Sequence, residues 1–204
     1  MIHQTPRSSR AGFTLVELLI VLAIAVLVIT LGVPNLLDLL ARQRLEGQAR
    51  DLAALAHRAR QEALTRGMPA VVEIDGRAFR AFADLHGATL AAPPDGLFNP
   101  LSGAPLQGTD FEIGRRQLHA KLALAGPGSQ TDIDGFTVVD GVRKAIFEPD
   151  GSIRATGAIR LADHRGNYLE VRVAPRATGK VGLYKWDGSA WRANGEGGTS
   201  WTWH

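Results

Sequence analysis

From Phe13 to Val33 the chain runs for 21 residues with a single ionisable side chain, Glu17. At about 1.5 Å of rise per residue, such a run wound as a helix covers a hydrocarbon core of roughly 30 Å. The segment therefore reads as a membrane-spanning helix, and anything else the chain builds must hang from one end of it. A carboxylate in a spanning helix costs on the order of 2.5–3.5 kcal/mol near the centre. Two readings of Glu17 follow. Four residues into the run it can reach the headgroup region, or it can be kept because it has a partner inside the apolar phase.

The stretch before the run, Met1 to Gly12, carries Arg7 and Arg10 and no acid. It is not an ordinary secretory signal, since no small-x-small cleavage site follows at the usual distance and the apolar run is too long for a signal-peptide core. The two arginines place the amino terminus in the cytoplasm, although Arg42 and Arg44 beyond the run blunt that asymmetry. The order Gly12-Phe13-Thr14-Leu15-Val16-Glu17, with a basic leader before it and Pro34 well inside the helix after it, resembles the class III signal of type IV pilins and type II secretion pseudopilins. The resemblance implies that a prepilin peptidase cuts after Gly12 and methylates the new amino terminus at Phe13. It implies further that the Phe13 amine pairs with Glu17 of a neighbouring subunit, which gives Glu17 a role in register and recruitment and no chemistry of its own.

Helical periodicity continues past the apolar run. Leu36 and Leu40, and then Leu45, Ala49, Leu52, Ala56, Ala59 and Ala63, recur at three- and four-residue steps, so one helix is predicted from Phe13 to Arg66. Gly32 and Pro34 predict a kink between Thr30 and Pro34, equally readable as a tolerated membrane proline without function. Gly67-Met68-Pro69 ends the helix. A hairpin follows, Ala70–Ile74 and Arg77–Phe82 around Asp75-Gly76. Residues 84–108, with Pro93, Pro94, Pro100 and Pro105, read as an irregular excursion and a candidate contact loop.

Short strands are predicted at 117–125, 135–139, 142–148, 157–162, 168–174 and 181–187, mostly antiparallel. The fold class is α+β: a long amino-terminal transmembrane helix, kinked near Pro34, packed on a carboxy-terminal antiparallel β-sheet domain of type IV pilin-like form. The divisions are a leader at 1–12, the transmembrane part of the helix at 13–35, its periplasmic part at 36–66, a β-rich domain at 67–192 and a Gly/Trp tail at 193–204.

The run Ile146-Phe147-Glu148-Pro149-Asp150-Gly151-Ser152, followed by Gly157-Ala158-Ile159-Arg160-Leu161, Leu169-Glu170-Val171-Arg172-Val173 and Thr178-Gly179-Lys180-Val181, resembles the carboxy-terminal domain of the GspH/FimT family. With the amino-terminal motif the resemblance covers nearly the whole chain. It implies a minor pseudopilin of a type II secretion system, anchored once in the bacterial inner membrane with its domain in the periplasm. The implied partners are the prepilin peptidase, other pseudopilins or pilins of the same filament and the inner-membrane assembly platform. A FimT-like minor pilin of a type IV pilus or competence system is the alternative, and a signal-anchored periplasmic enzyme is a third reading.

The enzyme reading has little to stand on. The chain has no cysteine, which excludes disulfides, thiolate metal sites and cysteine nucleophiles. No Gly-x-Ser-x-Gly elbow, His-x-x-x-His pair or phosphate-cradling glycine loop occurs, so no catalytic set, cofactor or metal is expected. Asp132, Asp134 and Asp140 cluster without the glycine and bidentate glutamate of a calcium loop and read as turn acids.

The formal charge of +3 falls to 21 bases against 20 acids once the leader is set aside. Residues 142–192 nevertheless hold ten bases and five acids, the one feature that keeps nucleic acid in view. Arg172, Arg176 and Lys180 are the candidate DNA contacts. DNA-binding relatives carry arginines around a Gly-Arg motif where this chain reads Gly179-Lys180-Val181-Gly182, so DNA is not the expected partner. Trp186 and Trp191 read as core or subunit contacts, and Trp201 and Trp203 as loose tail.

Overall fold

The computed structural model describes residues 13–86, 93–99, 109–196, 201 and 203. One helix, α1 (Leu15–Arg66), leads into strands β1 (Ala70–Asp75), β2 (Ala78–Ala83), β3 (Phe111–Gln117), β4 (Ala123–Leu124), β5 (Ile133–Gly135), β6 (Thr137–Val139), β7 (Val142–Phe147), β8 (Gly157–Ala162), β9 (Tyr168–Val173), β10 (Val181–Trp186) and β11 (Trp191–Ala193). The chain divides into two compact units, Met1–Leu40 and Ala41–His204, and α1 contributes to both.

In the first unit the large apolar side chains described between Phe13 and Leu39 are all exposed. Among the described residues no helix is long and apolar enough to cross a membrane. The side chains of Leu31, Gly32, Pro34 and Asn35 lie outside the described residues, and the kink expected at Gly32 and Pro34 falls on them; the backbone is helical through all four. The leader, with Arg7, Arg10 and Gly12, also lies outside the described residues.

The second unit is an antiparallel α+β domain. Two sheets form, one in the order β3-β2-β1-β7-β6 (sheet A) and one in the order β11-β10-β9-β8-β4, with β5 also on β8 (sheet B). The stripe Ala41, Leu45, Ala49, Leu52, Ala56, Ala59, Ala63 is buried along one side of α1. Spacing by fours and threes keeps these residues on one face, and the alanines let the sheets approach closely. From Leu45 on they share a core with Val72, Ile74, Phe79 and Phe147 of sheet A and Ile159, Leu161, Val171 and Val173 of sheet B. Gly67 ends the helix at φ 65°, its N–H donating to the Ala63 carbonyl at 3.0 Å.

The other face of sheet A is apolar towards one end, where Val71, Phe82 and Ile146 are fully buried under Phe98 and Val139, and beside them it carries Glu73 paired with Arg80 and Lys144. The excursion between β2 and β3 supplies that cover, so residues 93–99 serve the fold as a lid over the sheet. Phe98 meets Phe82 edge to face with centroids 5.3 Å apart.

Two strand expectations need correction. Residues 117–125 are not one strand: β3 ends at Gln117, β4 is the pair Ala123–Leu124 in the other sheet, and the Leu122 N–H closes a turn on the His119 carbonyl at 2.9 Å. Leu118 and Leu122 alternate as a strand would, but they are core residues of a turn that carries the chain from sheet A to sheet B. The strand expected at 135–139 is also broken, because Phe136 takes φ 62° and splits it into β5 on sheet B and β6 on sheet A. Gly157 makes room for this, since a Cβ there would lie 2.5 Å from the Phe136 ring.

Candidate functional site

Two regions carry the residues singled out in the sequence, the start of α1 and the outer surface of sheet B. At the first, Thr14 stands immediately before the helix and its Oγ1 accepts the backbone N–H of Glu17 at 3.2 Å. Thr14-x-x-Glu17 is the spacing of a helix capping box, with Thr14 as the N-cap. Glu17 also lies in the first turn, where the helix dipole favours a negative charge. This local role of Glu17 stands beside the interfacial and filament-pairing readings, and the Thr-x-x-Glu spacing is its signal in the sequence. Phe13 is 80% exposed.

The basic residues of 142–192 do not gather into a single positive face. Lys144 is buried, paired with Glu73 at 3.0 Å and bonded to the Gly96 carbonyl at 2.7 Å. Arg154 pairs with Glu148 at 2.8 Å and Arg192 with Asp187 at 2.5 Å, and Arg143 donates to the Gly135 carbonyl. Hydrogen bonds from the Ala190 N–H, the Arg192 guanidinium and Ser189 hold the Asp187 carboxyl well below its usual range. Glu170, fully buried, accepts from Arg160 at 2.8 Å and Arg172 at 2.5 Å. A buried carboxylate without those two guanidiniums would be strongly destabilising.

Of the three candidate DNA contacts, Arg172 is therefore engaged by Glu170, while Arg176 and Lys180 are exposed in the turn that follows β9. That turn is shaped by a cis Ala174-Pro175 bond and by Gly179 at φ 53°, where a Cβ would fall 2.5 Å from the Gly151 carbonyl. Arg60 of α1 ties the same turn down, its Nε reaching the Thr178 carbonyl at 2.9 Å and the Gly151 carbonyl at 3.0 Å.

The tryptophans are placed, which corrects the loose reading of Trp201 and Trp203. Both pack against the core, and the Trp201 Nε1–H donates to the Arg192 carbonyl at 3.0 Å. Lys185, buried, sits 5.0 Å from the Trp203 ring centroid, and burial pushes its ammonium pKa down. Trp186 and Trp191 face each other across β10 and β11 at 5.5 Å. Among the described residues no three acids or histidines are grouped to hold a metal ion; Asp134 instead lies 3.5 Å from Arg160.

Residues 7–33 match the prokaryotic N-terminal methylation motif, which takes in Gly12, Phe13 and Glu17. Residues 48–179 match the family described as type II transport protein GspH, and that span is well over half of the chain. The chain belongs to the GspH family. In this GspH-family chain the matched span runs from the middle of α1 to the turn after β9, and β10, β11 and the tryptophans lie beyond it. The family is one of pilin-like structural proteins. A solved structure similar to the chain is that of the type IV minor pilin FimU of Pseudomonas aeruginosa (strain PAO1), 16% identical, covering 70% of this chain and 89% of that one with a TM-score of 0.39. No curated protein sequence matches the chain.

Proposed function

We propose that the chain is a minor pseudopilin of a type II secretion system, cut by a prepilin peptidase between Gly12 and Phe13 and methylated at Phe13. Residues 13–35 anchor it in the inner membrane with the amino terminus cytoplasmic, and the domain stands in the periplasm on an inner-membrane assembly platform. One observation carries the reading: among the described residues between Phe13 and Leu39, seventeen large apolar side chains are 45–80% exposed. Burying each would be worth about 1.5–3 kcal/mol, so a surface of this size calls for lipid or the matching helices of other subunits. Glu17 lies on that surface as its sole charge from Phe13 to Leu37, the partner for the Phe13 amine of a neighbour.

The reading is tested by mass spectrometry of membrane-extracted protein. Wild type gives a chain beginning at methyl-Phe13, and Gly12→Ala leaves the leader attached while still inserting. A normal methyl-Phe13 terminus from Gly12→Ala sinks it. A second reading, a minor pilin of a type IV pilus or competence system, is favoured by Arg176 and Lys180, exposed in one turn. Deleting the gene separates the two: cargo retained in the periplasm supports secretion, whereas lost pili or lost transformation supports the pilus.

A further inference from the structure

The outer face of sheet B holds a cavity of about 300 Å³ bounded by Asp134, Thr156, Ala158, Arg160, Arg172 and Ala174. Side-chain size explains it. Arg172 on β9 stands opposite Ala158 on β8 and Gly182 on β10; the small Ala158 leaves space on one side of its guanidinium, while the Tyr184 ring covers Gly182 on the other. The arginine is fixed from two directions. Its Nε and Nη2 donate to Glu170 Oε1 at 2.6 and 2.5 Å, and the guanidinium lies 4.4 Å from the Tyr184 ring centroid. Nη1 is left without a partner among the described residues.

Arg160 is held as firmly. Its Nε donates to Glu170 at 2.8 Å and its Nη1 to the Thr131 carbonyl at 2.7 Å, while Nη2 meets Asp134 Oδ2 at 3.5 Å. That last separation is long beside the roughly 2.7–2.9 Å of a charge-assisted bond, and the Asp134 side chain is 67% exposed. Asp134 is a loose counter-ion that can swing into solvent. With Asp134 out, Arg160, Arg172 and the buried Glu170 together carry a single excess positive charge.

We propose that this cavity recognises a carboxylate side chain presented by a partner protein, with Arg172 and Arg160 as donors, the Thr156 hydroxyl at the rim and Asp134 as a built-in competitor. One excess charge suits a monoanion and gives a dianion no advantage. Pre-positioned planar guanidiniums suit a carboxylate in particular. A volume near the bottom of the range for small-molecule sites, roughly 300–1,000 Å³, takes the head of an Asp or Glu and leaves little room for a whole ligand. Nothing in the cavity depends on α1 or on processing at Gly12, so this site and the secretion reading stand or fall separately.

The test uses the full chain, nitrogen-15 labelled and in detergent, titrated at constant ionic strength with sodium acetate, with phosphate and with the blocked tripeptide acetyl-Gly-Asp-Gly-amide. The Gly157 and Ala158 amide signals report occupancy. Acetate and peptide give saturable shifts, the peptide at lower concentration. Asp134→Asn tightens binding about two- to fivefold, the scale of a released exposed ion pair, while Asp132→Asn, which removes the same charge two residues away, does not. Arg172→Gln abolishes saturation; because it also strips Glu170 of one partner, Thr156→Val at the exposed rim serves as the second loss of affinity. Absence of saturation, equal tightening by Asp132→Asn, or phosphate binding more tightly than the peptide overturns the proposal. Equal affinity for acetate and peptide overturns the assignment to a partner protein.

Discussion

Asp84 and Asp110 hold the excursion between β2 and β3 from its two ends. Asp110 Oδ1 accepts the Leu85 N–H at 2.8 Å and its Oδ2 the Asn99 N–H at 2.8 Å, while Asp84 Oδ2 accepts the Gly96 N–H at 2.6 Å. Asp84 is 1% exposed, its Oδ1 makes no hydrogen bond, and burial, with the Asp110 and Asp95 carboxylates adding to it, raises its pKa to about 6. A carboxyl whose folded pKa exceeds its unfolded one gives stability at low pH that is lost as pH rises, here between about 4 and about 6. The loss is on the order of 2–3 kcal/mol at neutral pH. Asp84→Asn keeps an acceptor for Gly96 and cannot ionise, so it should be the more stable protein at pH 7.5 and lose that advantage at about pH 4. Denaturant unfolding of both proteins at the two pH values checks this, and a difference independent of pH refutes it.

The double service of the first helical turn can be taken apart. Thr14→Ala removes the cap on the Glu17 N–H at a cost of about 1 kcal/mol in helix stability, yet it leaves the charge of Glu17 in place. Glu17→Gln leaves the Thr14 bond intact and removes the charge. If pairing with a neighbour's Phe13 amine governs assembly, subunit cross-linking in membranes should fall much further for Glu17→Gln than for Thr14→Ala. Equal losses would assign the effect to the helix end.

Arg60 joins α1 to two turns at once. Replacing it with Met keeps most of the aliphatic stem and abandons the Gly151 and Thr178 carbonyls, at roughly 1–3 kcal/mol for leaving part-buried acceptors unmet. A lowered midpoint in thermal unfolding is expected. The exposed ion pair of Arg66 with Glu62, at 2.8 Å on the same helix, serves as the comparison and should be worth under about 1 kcal/mol.

Duplex DNA should bind too weakly to measure near about 150 mM salt, where the Debye length is about 8 Å. Half of the ten bases that would make a phosphate-binding face are committed to Glu73, Glu148, Glu170 and Asp187. A gel-shift titration at two salt concentrations, with Arg176→Ala/Lys180→Ala as control, settles it: tight wild-type binding lost in the double variant would favour DNA uptake.

Periodicity made the regular parts legible. The helix stripe from Leu45 to Ala63 and the strand at 157–162 are where hydropathy alone puts them, because a two-sided burial requirement leaves little freedom of register. The misses share a cause, since each depends on contacts distant in sequence. Phe98 looks like one more residue in a proline-rich loop until Phe82 is beneath it. Phe136 continues an alternating pattern and only the tertiary structure turns it to positive φ. β3 was hidden because Arg115 and Arg116 at a sheet edge break the alternation that marks a strand. At the candidate site the Thr14-x-x-Glu17 cap was readable, whereas the pairing of two arginines on Glu170 needed the register of β8 against β9.

The reversal at Phe136 binds the fates of two strands. β5 and β6 are three residues each, too short to persist alone, and they lie in different sheets with only Phe136 between them. Opening either one frees the other's end, and the Phe136 ring, seated over Gly157, must leave its place for both. Amide protons of Ile133 to Val139 should therefore exchange with solvent as one cooperative unit spanning the sheets, at a common free energy.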